Sequence, residues 1–338
     1  MTSHAPALHP LGLAGPALVA AVAAPPLLAF SLPPSPTLLN QCLALALWGL
    51  AVVTLALHRP VAHGAARNGA SLFAALALMA LSVGISSAFG ALPGEMALSH
   101  LAVLAAAALV ARAGLALARE PRAVDVFSVF LFGLVLAGML SAMVAVIQVF
   151  APAWADGTLV AASGLARRAV GNLRQPNHLA SLLVWALVAL VALVALGRLK
   201  LATAAGLLPL LVGALVLSGS RTGMLDMVLL ALWGALDRRL PRPARALLLA
   251  APLLYGLGWL AYQRWDAAME AAAVAGGAAP TPRRGDISSS RFGIWANTLV
   301  LIRQHPLLGV GWGEFNFAWT LTPFPGRPVA FFDHVHNL

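Results

Sequence analysis

The sequence has little charge and almost no cysteine. Charged residues make up 9% of its 338 residues, apolar residues make up 61%, and the mean hydropathy is +0.88. Because soluble domains keep about a quarter of their residues charged, these values exclude a soluble globular protein and predict an all-α, polytopic membrane protein. The one cysteine, Cys42, lies in an apolar run, which argues against a disulfide framework and a thiolate metal site.

Lysine and arginine are absent from the first 58 residues. A secretory signal peptide starts with a basic segment, so the first apolar run is predicted to remain as a membrane span. The net charge is nevertheless +10, with the basic residues placed singly or in small groups between apolar runs. This distribution predicts no nucleic-acid partner and instead favours membrane lipids and anionic groups carried on lipids.

Nine apolar runs come close to the roughly 20 residues that a helix needs to cross a bilayer. They lie at 11–30, 38–57, 70–90, 96–118, 124–150, 178–197, 201–217, 223–236 and 246–262. The seventh and eighth are short and close together, so one re-entrant hairpin is the alternative to two spans. The sequence therefore predicts a bundle of about nine transmembrane helices in residues 1–262 and a long outer segment, 263–338.

The loops between these runs differ in charge. Arginine and lysine concentrate in the loops 58–69, 112–122, 198–200 and 237–245, which predicts that these loops and the N-terminus are cytoplasmic. The remaining arginines fall on the predicted outer side, at Arg167, Arg168, Arg174, Arg221, Arg264, Arg283, Arg284, Arg291, Arg303 and Arg327. Topology does not explain them, so we expect another interaction, for which an anion on that face is the natural partner.

The stretch GNLRQPNHLASLL, residues 171–183, stands at the start of the sixth span. Its proline favours an extended backbone at Gln175, so that Asn177 and His178 can meet the free N–H groups of the following helix. Arg174 adds a bidentate donor beside the positive end of the helix dipole. The structural alternative is a well-capped helix start with an interfacial arginine.

The stretch SGSRTG, residues 218–223, places Arg221 in a tight outer turn flanked by glycines. Small residues let backbone N–H groups approach a ligand closely, and the planar guanidinium fits a phosphate. The alternative is a turn in which Arg221 pairs with Asp226. The sequence leaves both interpretations open.

The outer segment contains a predicted surface helix, SSSRFGIWANTLVLIRQHP. Phe292, Trp295, Leu299 and Ile302 share one of its faces, which is typical of an amphipathic helix lying on a membrane. The serines are candidate N-caps, and the proline ends the helix.

Two other classes of function are disfavoured. The glycines of HPLLGVGWGEF, residues 305–315, follow no strand and have no P-loop lysine, so this stretch predicts a turn and not a nucleotide loop. Asp125 and Asp226 are too sparse for the proton relay of a transporter or the charged ring of a channel.

The sequence ends on FFDHVHNL, in which His334 and His336 share a face if the segment is extended. Asp333 or Asn337 can orient either ring and leave its other nitrogen free as a base. Two histidines with one aspartate make a weak zinc site, so we expect no metal here. A purely structural histidine pair is the remaining alternative.

In chain order, GNLRQPNHLASLL, SGSRTG, HPLLGVGWGEF and HVHN resemble the O-antigen ligase and polymerase superfamily of bacterial inner membranes. The RQPN element is similar to PglL-type O-oligosaccharyltransferases, which glycosylate pilins and other exported proteins. The resemblance covers residues 165–338, whereas the first 160 residues match only in hydropathy. Since relatives continue past the histidine with further transmembrane helices, we expect this chain to be an incomplete form of such a protein.

The resemblance implies transfer of a glycan from an undecaprenyl-pyrophosphate carrier to an acceptor hydroxyl at the periplasmic face, without metal, nucleotide or other cofactor. It implies that His336, followed by Asn337, is the general base, with His334 as the second candidate. Outer guanidinium groups would hold the pyrophosphate. The candidates are Arg174, Arg221, Arg291 and Arg264, with Gln175, Asn177 and His178 in support.

The acceptor separates the competing hypotheses. The first is a Ser or Thr hydroxyl of an exported, pilin-like protein, and the second is lipid A-core or a growing O-antigen. From another class, a transporter or flippase would bind the lipid-linked glycan through the same arginines without reacting, and a membrane scaffold would have no chemistry.

Overall fold

The computed structural model describes residues 11–32, 37–57, 69–90, 92–277, 287–307 and 309–324, and its fold is all-α. A 3₁₀ turn, Pro152–Trp154, follows the fifth helix. The helices are α1 (Ala14–Leu27), α2 (Leu38–Leu57), α3 (Ala70–Phe89), α4 (Gly94–Leu117), α5 (Ala123–Phe150), α6 (Pro176–Ala195), α7 (Leu201–Ser218), α8 (Arg221–Leu236), α9 (Arg242–Ala275), α10 (Ile287–Gln304) and α11 (Phe315–Leu321).

Each predicted span coincides with a helix, from α1 to α9. In the described part of the chain, seven of these helices, α2 to α7 and α9, are long and apolar enough to cross a membrane. Helices α1 and α8 have 14 and 16 residues, or roughly 21 and 24 Å at 1.5 Å per residue, less than the roughly 30 Å of a hydrocarbon core. The multi-pass, all-α membrane fold is confirmed.

Helix α9 is longer than the sequence predicts. The predicted ninth span ends at residue 262, but the helix continues without a break to Ala275. Residues 267–275 are rich in alanine, the strongest helix former, and Gly276 and Gly277 then end the helix. We call residues 263–275 the α9 extension.

The chain divides into two compact units. Unit 1 comprises residues 1–62 and 116–278, and unit 2 comprises residues 63–115 and 279–338. These units group residues by packing, whereas the boundary predicted at residue 262 separates a membrane bundle from an outer segment. That boundary stays a prediction.

Unit 1 contains α1, α2 and α5 to α9, with α6 at its centre. Leu183, Leu187 and Leu190 of α6 are at most 1% exposed within the largest apolar core. Helix α5 approaches α6 so closely that a Cβ added at Gly138 would lie 2.3 Å from the Cβ of Ala186. Such close contact through small residues is how membrane helices gain packing energy without a hydrophobic driving force.

Unit 2 contains α3, most of α4, α10 and α11. The predicted surface helix is present as α10, and its expected apolar face is exposed. Helix α10 also has a second apolar face, which the sequence analysis missed: Ile294 and Leu301 are buried against Trp319 of α11 and Phe324.

The predicted turn of residues 305–315 is also present in unit 2. Gly311 and Gly313 adopt positive φ angles, which glycine tolerates at no steric cost. Between them, the Trp312 N–H donates a 2.7 Å hydrogen bond to Ser86 Oγ, and the Trp312 ring lies 6.0 Å from that of His100. The glycines therefore serve an anchored turn.

Candidate functional site

Several helix ends of unit 1 meet at one end of the bundle, which we call the loop end. Residues 151–175 connect α5 to α6 there, and residues 219–220 connect α7 to α8. The Ala169 N–H donates a 3.0 Å hydrogen bond to the Leu217 carbonyl, so the 151–175 loop is joined directly to the end of α7. Most of the arginines predicted on the outer side of unit 1 lie at this end.

Gln148, near the end of α5, anchors the 151–175 loop from below. It is 4% exposed, and its amide makes four hydrogen bonds. The Nε2 group donates to the carbonyls of Ala161 (2.6 Å) and Gly171 (3.2 Å), while Oε1 accepts from the N–H groups of Val170 (3.0 Å) and Gly171 (2.9 Å). A buried amide that satisfies so much loop backbone fixes the position of the loop.

Asn172 continues the same network, and the sequence analysis did not identify it or Gln148 as a functional residue. Its Oδ1 accepts from the Ala161 N–H at 2.9 Å, and its Nδ2 donates to the carbonyls of Leu27 (2.6 Å) and Leu159 (2.9 Å). Leu27 is the last residue of α1. Asn172 therefore ties the loop to a helix that is 145 residues away in sequence.

The start of α6 confirms part of the prediction for the RQPN element. Gln175 has an extended backbone (φ −144°, ψ 124°), as expected before Pro176. The expectation that Asn177 and His178 cap the helix is wrong: Oε1 of Gln175 is the cap, accepting from the His178 N–H at 2.8 Å. The side chain of Asn177 is thereby left to bond elsewhere.

That bond joins the two sequence motifs. Ser220, 1% exposed, donates from Oγ to Oδ1 of Asn177 at 2.8 Å, across 43 residues. The same Oγ accepts from the Gly223 N–H at 3.3 Å and so caps α8. Because Arg221 follows Ser220 directly, this bond fixes the backbone of Arg221 next to the start of α6.

Arg221 is the first residue of α8, and its side chain is exposed. Within the described residues it makes no ion pair with Asp226, so the alternative in which these two pair is not supported. A cation at a helix N-terminus also works against the helix dipole. An anion bound there would gain from the dipole and the guanidinium together.

Arg167 meets carboxylates of its own chain. Its Nε and Nη2 atoms lie 2.5 Å from Asp266 Oδ1 and 2.5 Å from Glu270 Oε2, both on the α9 extension. The Tyr262 hydroxyl donates to the Arg167 carbonyl. The hydrogen bond to Asp266, followed by that to Glu270, raises the pKa of Arg167 above its usual value. The anion that the sequence led us to expect for this arginine is therefore internal.

Arg168 and Arg174 bind backbone carbonyls. Arg168 donates from Nε to the Ser218 carbonyl at 2.7 Å and from Nη2 to the Gly219 carbonyl at 3.2 Å. The guanidinium of Arg174 donates to the Ala29 carbonyl, beyond the end of α1. Arg174 also has a left-handed backbone (φ 57°), an uncommon conformation for a residue other than glycine. Its predicted role with a pyrophosphate stays a prediction.

Arg264 lies in the α9 extension and is exposed. Like Arg221, it forms no ion pair with any other residue that the structure describes. Arg303, in contrast, stands in the last turn of α10, where a positive charge stabilises a helix. Arg221 and Arg264 are thus the arginines of unit 1 best placed for an external anion.

The remaining site predictions fall outside the described residues. They are His334, His336, Asn337, Arg283, Arg284, Arg327 and the side chain of Arg291. Among the described residues, no group of three histidine, cysteine, aspartate or glutamate side chains forms a metal site. The absence of a metal at the histidine pair stays a prediction.

Two protein families match the chain. Residues 205–338 match the O-antigen ligase family, and residues 169–194 match the protein glycosylation ligase family. These segments include the motifs on which the predicted resemblance rested, and the resemblance is confirmed. No curated protein and no solved structure matches the chain. The two matches support a glycan-transferring membrane enzyme.

Proposed function

We propose that this chain, similar to O-antigen ligases and protein glycosylation ligases, transfers a glycan from undecaprenyl pyrophosphate to a Ser or Thr hydroxyl of an exported, pilin-like protein. Such a reaction needs a site that binds a lipid-linked pyrophosphate and a base that activates a hydroxyl. The loop end of unit 1 supports the first requirement, and the HVHN motif supports the second.

The observation that carries this proposal is the hydrogen bond between Ser220 and Asn177. Asn177 belongs to the segment that matches the protein glycosylation ligase family, and Ser220 to the segment that matches the O-antigen ligase family. The bond brings Arg221 to the start of α6, in a polar region at the end of a membrane bundle. A pyrophosphate at this position would meet two helix N-termini and the Arg221 guanidinium, which forms no ion pair among the described residues.

In the proposed reaction, the acceptor oxygen attacks the anomeric carbon as the bond from that carbon to the pyrophosphate oxygen breaks, with inversion of configuration. His336 accepts the hydroxyl proton, with His334 as the second candidate, and Asn337 orients the ring. Negative charge develops on the leaving pyrophosphate, where arginine donors stabilise it. The proposed donors are Arg174, Arg221, Arg264 and Arg291, with Gln175, Asn177 and His178 shaping the start of α6.

The two family matches favour different acceptors. The shorter match, over residues 169–194, favours a protein hydroxyl. The longer match, over residues 205–338, favours lipid A-core as a second candidate acceptor, through the same chemistry.

The distribution of arginine supports a location in the bacterial inner membrane with the N-terminus in the cytoplasm and the loop end in the periplasm. Asp125 and Arg198 form a 2.5 Å ion pair, with side chains only 8% and 9% exposed, at the end of the bundle away from the 151–175 loop. Both residues belong to the predicted cytoplasmic side.

The test reconstitutes the full chain in liposomes with an undecaprenyl-pyrophosphate-linked glycan and offers a pilin-like protein or lipid A-core as acceptor. We expect glycan transfer to the protein, loss of transfer in His336→Ala, and a loss of about 100-fold in Arg221→Ala. Arg238→Ala removes the same charge from an exposed site just beyond the other end of α8 and should leave transfer unchanged.

Each result has a distinct meaning. Transfer only to lipid A-core would replace the proposed acceptor, and full transfer by His336→Ala would overturn the proposed base. Donor binding without transfer to either acceptor would indicate a transporter.

A further inference from the structure

An apolar groove of about 330 Å³ lies on unit 1 between α5, α7 and α9. Its floor is α7, which packs against both other helices. Val146 and Phe150 of α5 line one wall, and α9 contributes the other wall from Gly258 to Trp265. These three helices are all long and apolar enough to cross a membrane, so we expect the groove to face hydrocarbon.

Small residues make the surface concave. A Cβ added at Gly213 of α7 would meet no atom within 4 Å, and one added at Gly258 would lie 3.4 Å from a methyl group of Val216. Ala214 and Ala261 also line the groove. A bilayer has no water at this depth, so the space suits a hydrocarbon chain.

Aromatic side chains mark the end of the groove nearest the loop end. The Trp265 ring lies 4.9 Å from that of Phe150 and 5.8 Å from that of Tyr262. Tyr262 places its ring in the groove and donates its hydroxyl proton to the Arg167 carbonyl. Aromatic residues with a polar tip favour the boundary between hydrocarbon and headgroups. We therefore expect the groove to open at the depth where a lipid carries its headgroup.

Arg264 provides a positive charge at this opening. It lies three residues after Ala261, so the two share a face of α9, with Arg264 one turn nearer the loop end. Side chains on a helix lean toward its N-terminus, so we expect the Arg264 side chain to extend along the edge of the groove toward the turn that carries Ala261. It is exposed, and it forms no ion pair among the residues described.

We propose that this groove binds the polyprenyl chain of the lipid-linked donor, in its isoprene units nearest the pyrophosphate, with Arg264 contacting that pyrophosphate. This inference rests on the proposed function, because the function defines which lipid carries the glycan. The continuity of the groove with the aromatic opening and then with Arg264 matches the order of chain and phosphate in such a lipid.

The experiment uses the full chain in nanodiscs and a polyprenyl pyrophosphate with a photoreactive diazirine in its first isoprene units. Cross-linked peptides are identified by mass spectrometry, with and without unlabelled polyprenyl pyrophosphate as competitor. A phospholipid carrying the same diazirine in an acyl chain tests the alternative that bulk lipid fills the groove.

Matched glycine variants test the position of the chain. Gly213→Phe fills the groove. Gly206→Phe adds the same ring two turns earlier on α7, at a glycine that does not line the groove. A Cβ added at Gly206 also meets no atom within 4 Å. We expect competable labelling of α5, α7 and α9 in the wild type, reduced about tenfold in Gly213→Phe and unchanged in Gly206→Phe. Arg264→Gln should weaken labelling by the pyrophosphate but not by a polyprenol with the same diazirine.

Labelling of other helices, labelling that Gly213→Phe leaves unchanged, or equal labelling by the phospholipid would each overturn the groove assignment. Failure of the proposed function is distinguishable from these results. Groove labelling without glycan transfer would contradict the proposed reaction alone, whereas transfer without groove labelling would contradict this inference alone.

Discussion

The 151–175 loop and the helix segments that carry Arg221 and Arg264 lie in the same unit, yet their arginines differ in what they bind. In the loop, Arg167 pairs with two carboxylates, and Arg168 and Arg174 bind carbonyl groups. In the described part of the chain, Arg221 and Arg264 form no ion pair. The loop arginines join segments of the protein to each other, whereas the two helix arginines stay the proposed ligands of the pyrophosphate.

This contrast shows why an arginine on the predicted outer face is not in itself a sign of ligand binding. A buried or partly buried guanidinium is retained for the hydrogen bonds that it makes inside the fold. The two groups of arginines should therefore respond differently to mutation: stability should fall for one, and donor binding for the other.

The largest effect is expected where the loop is anchored. Gln148→Leu removes four hydrogen bonds and leaves the N–H groups of Val170 and Gly171 buried without their acceptor. We expect a loss of about 3–5 kcal/mol in the free energy of unfolding, measured by denaturation in detergent, together with faster proteolysis of the 151–175 loop.

Gln41→Leu is the matched control, because Gln41 is exposed on α2 and makes one 3.5 Å hydrogen bond to Thr37. It should change stability by less than about 0.5 kcal/mol. Equal stability of the two variants would contradict the assignment of Gln148 as the anchor of the loop.

The comparison itself is tested by Arg167→Ala and Arg221→Ala. Arg167→Ala removes the ion pairs to Asp266 and Glu270 and should cost about 1–2 kcal/mol of stability, since the groups are partly exposed. Arg221→Ala should change stability by less than about 0.5 kcal/mol and should instead weaken binding of a polyprenyl pyrophosphate. Thermal unfolding and a lipid-binding assay on both proteins provide the measurements. If the two variants exchanged these behaviours, the division into structural and ligand-binding arginines would be wrong.

The membrane fold was largely predictable, because a membrane span is recognised from a local run of apolar residues. The α9 extension was not predicted, because Arg264, Asp266 and Glu270 interrupt the apolar run by which a membrane span is recognised. The second apolar face of α10 was missed because its partner Trp319 lies on another helix. Local patterns define spans, whereas packing between distant segments decides the faces of the helices.

The candidate site was predictable only where a neighbour in sequence determines it. The extended backbone of Gln175 follows from Pro176. The partners of Arg167, however, lie 99 and 103 residues away, and no local pattern identifies them. Gln148 offered a signal that was overlooked, because a polar amide inside an apolar span is costly unless it is satisfied.

Arg174 tests the boundary between the two groups, since it binds a carbonyl and is also a proposed pyrophosphate ligand. Its left-handed backbone is strained for alanine but not for glycine, whereas both substitutions remove the guanidinium. Arg174→Gly should therefore be about 1 kcal/mol more stable than Arg174→Ala, as measured by chemical denaturation. Both variants should bind polyprenyl pyrophosphate equally weakly. Equal stability would contradict the left-handed conformation, and wild-type binding would remove Arg174 from the proposed site.

The smallest effect concerns the exposed part of the loop, where Asp156 holds a turn through its own carboxylate. The pKa of Asp156 is lowered from its usual value of 3.8, first by the hydrogen bond from the Thr158 hydroxyl (2.7 Å) and then by that from the Thr158 N–H (2.8 Å). Since the folded state lowers this pKa, ionised Asp156 stabilises the fold above pH 3.8, and the stabilisation disappears as the pH falls through the lower, folded-state value.

Asp156→Asn should therefore melt at a slightly lower temperature than the wild type at pH 7. In a series of melting curves, this difference should vanish once the pH is below the folded-state pKa of Asp156. Thr158→Ala removes the first cause of the shift and should flatten the pH dependence of the wild type. A difference that stays constant down to the lowest pH would show that the turn does not depend on the charge of Asp156.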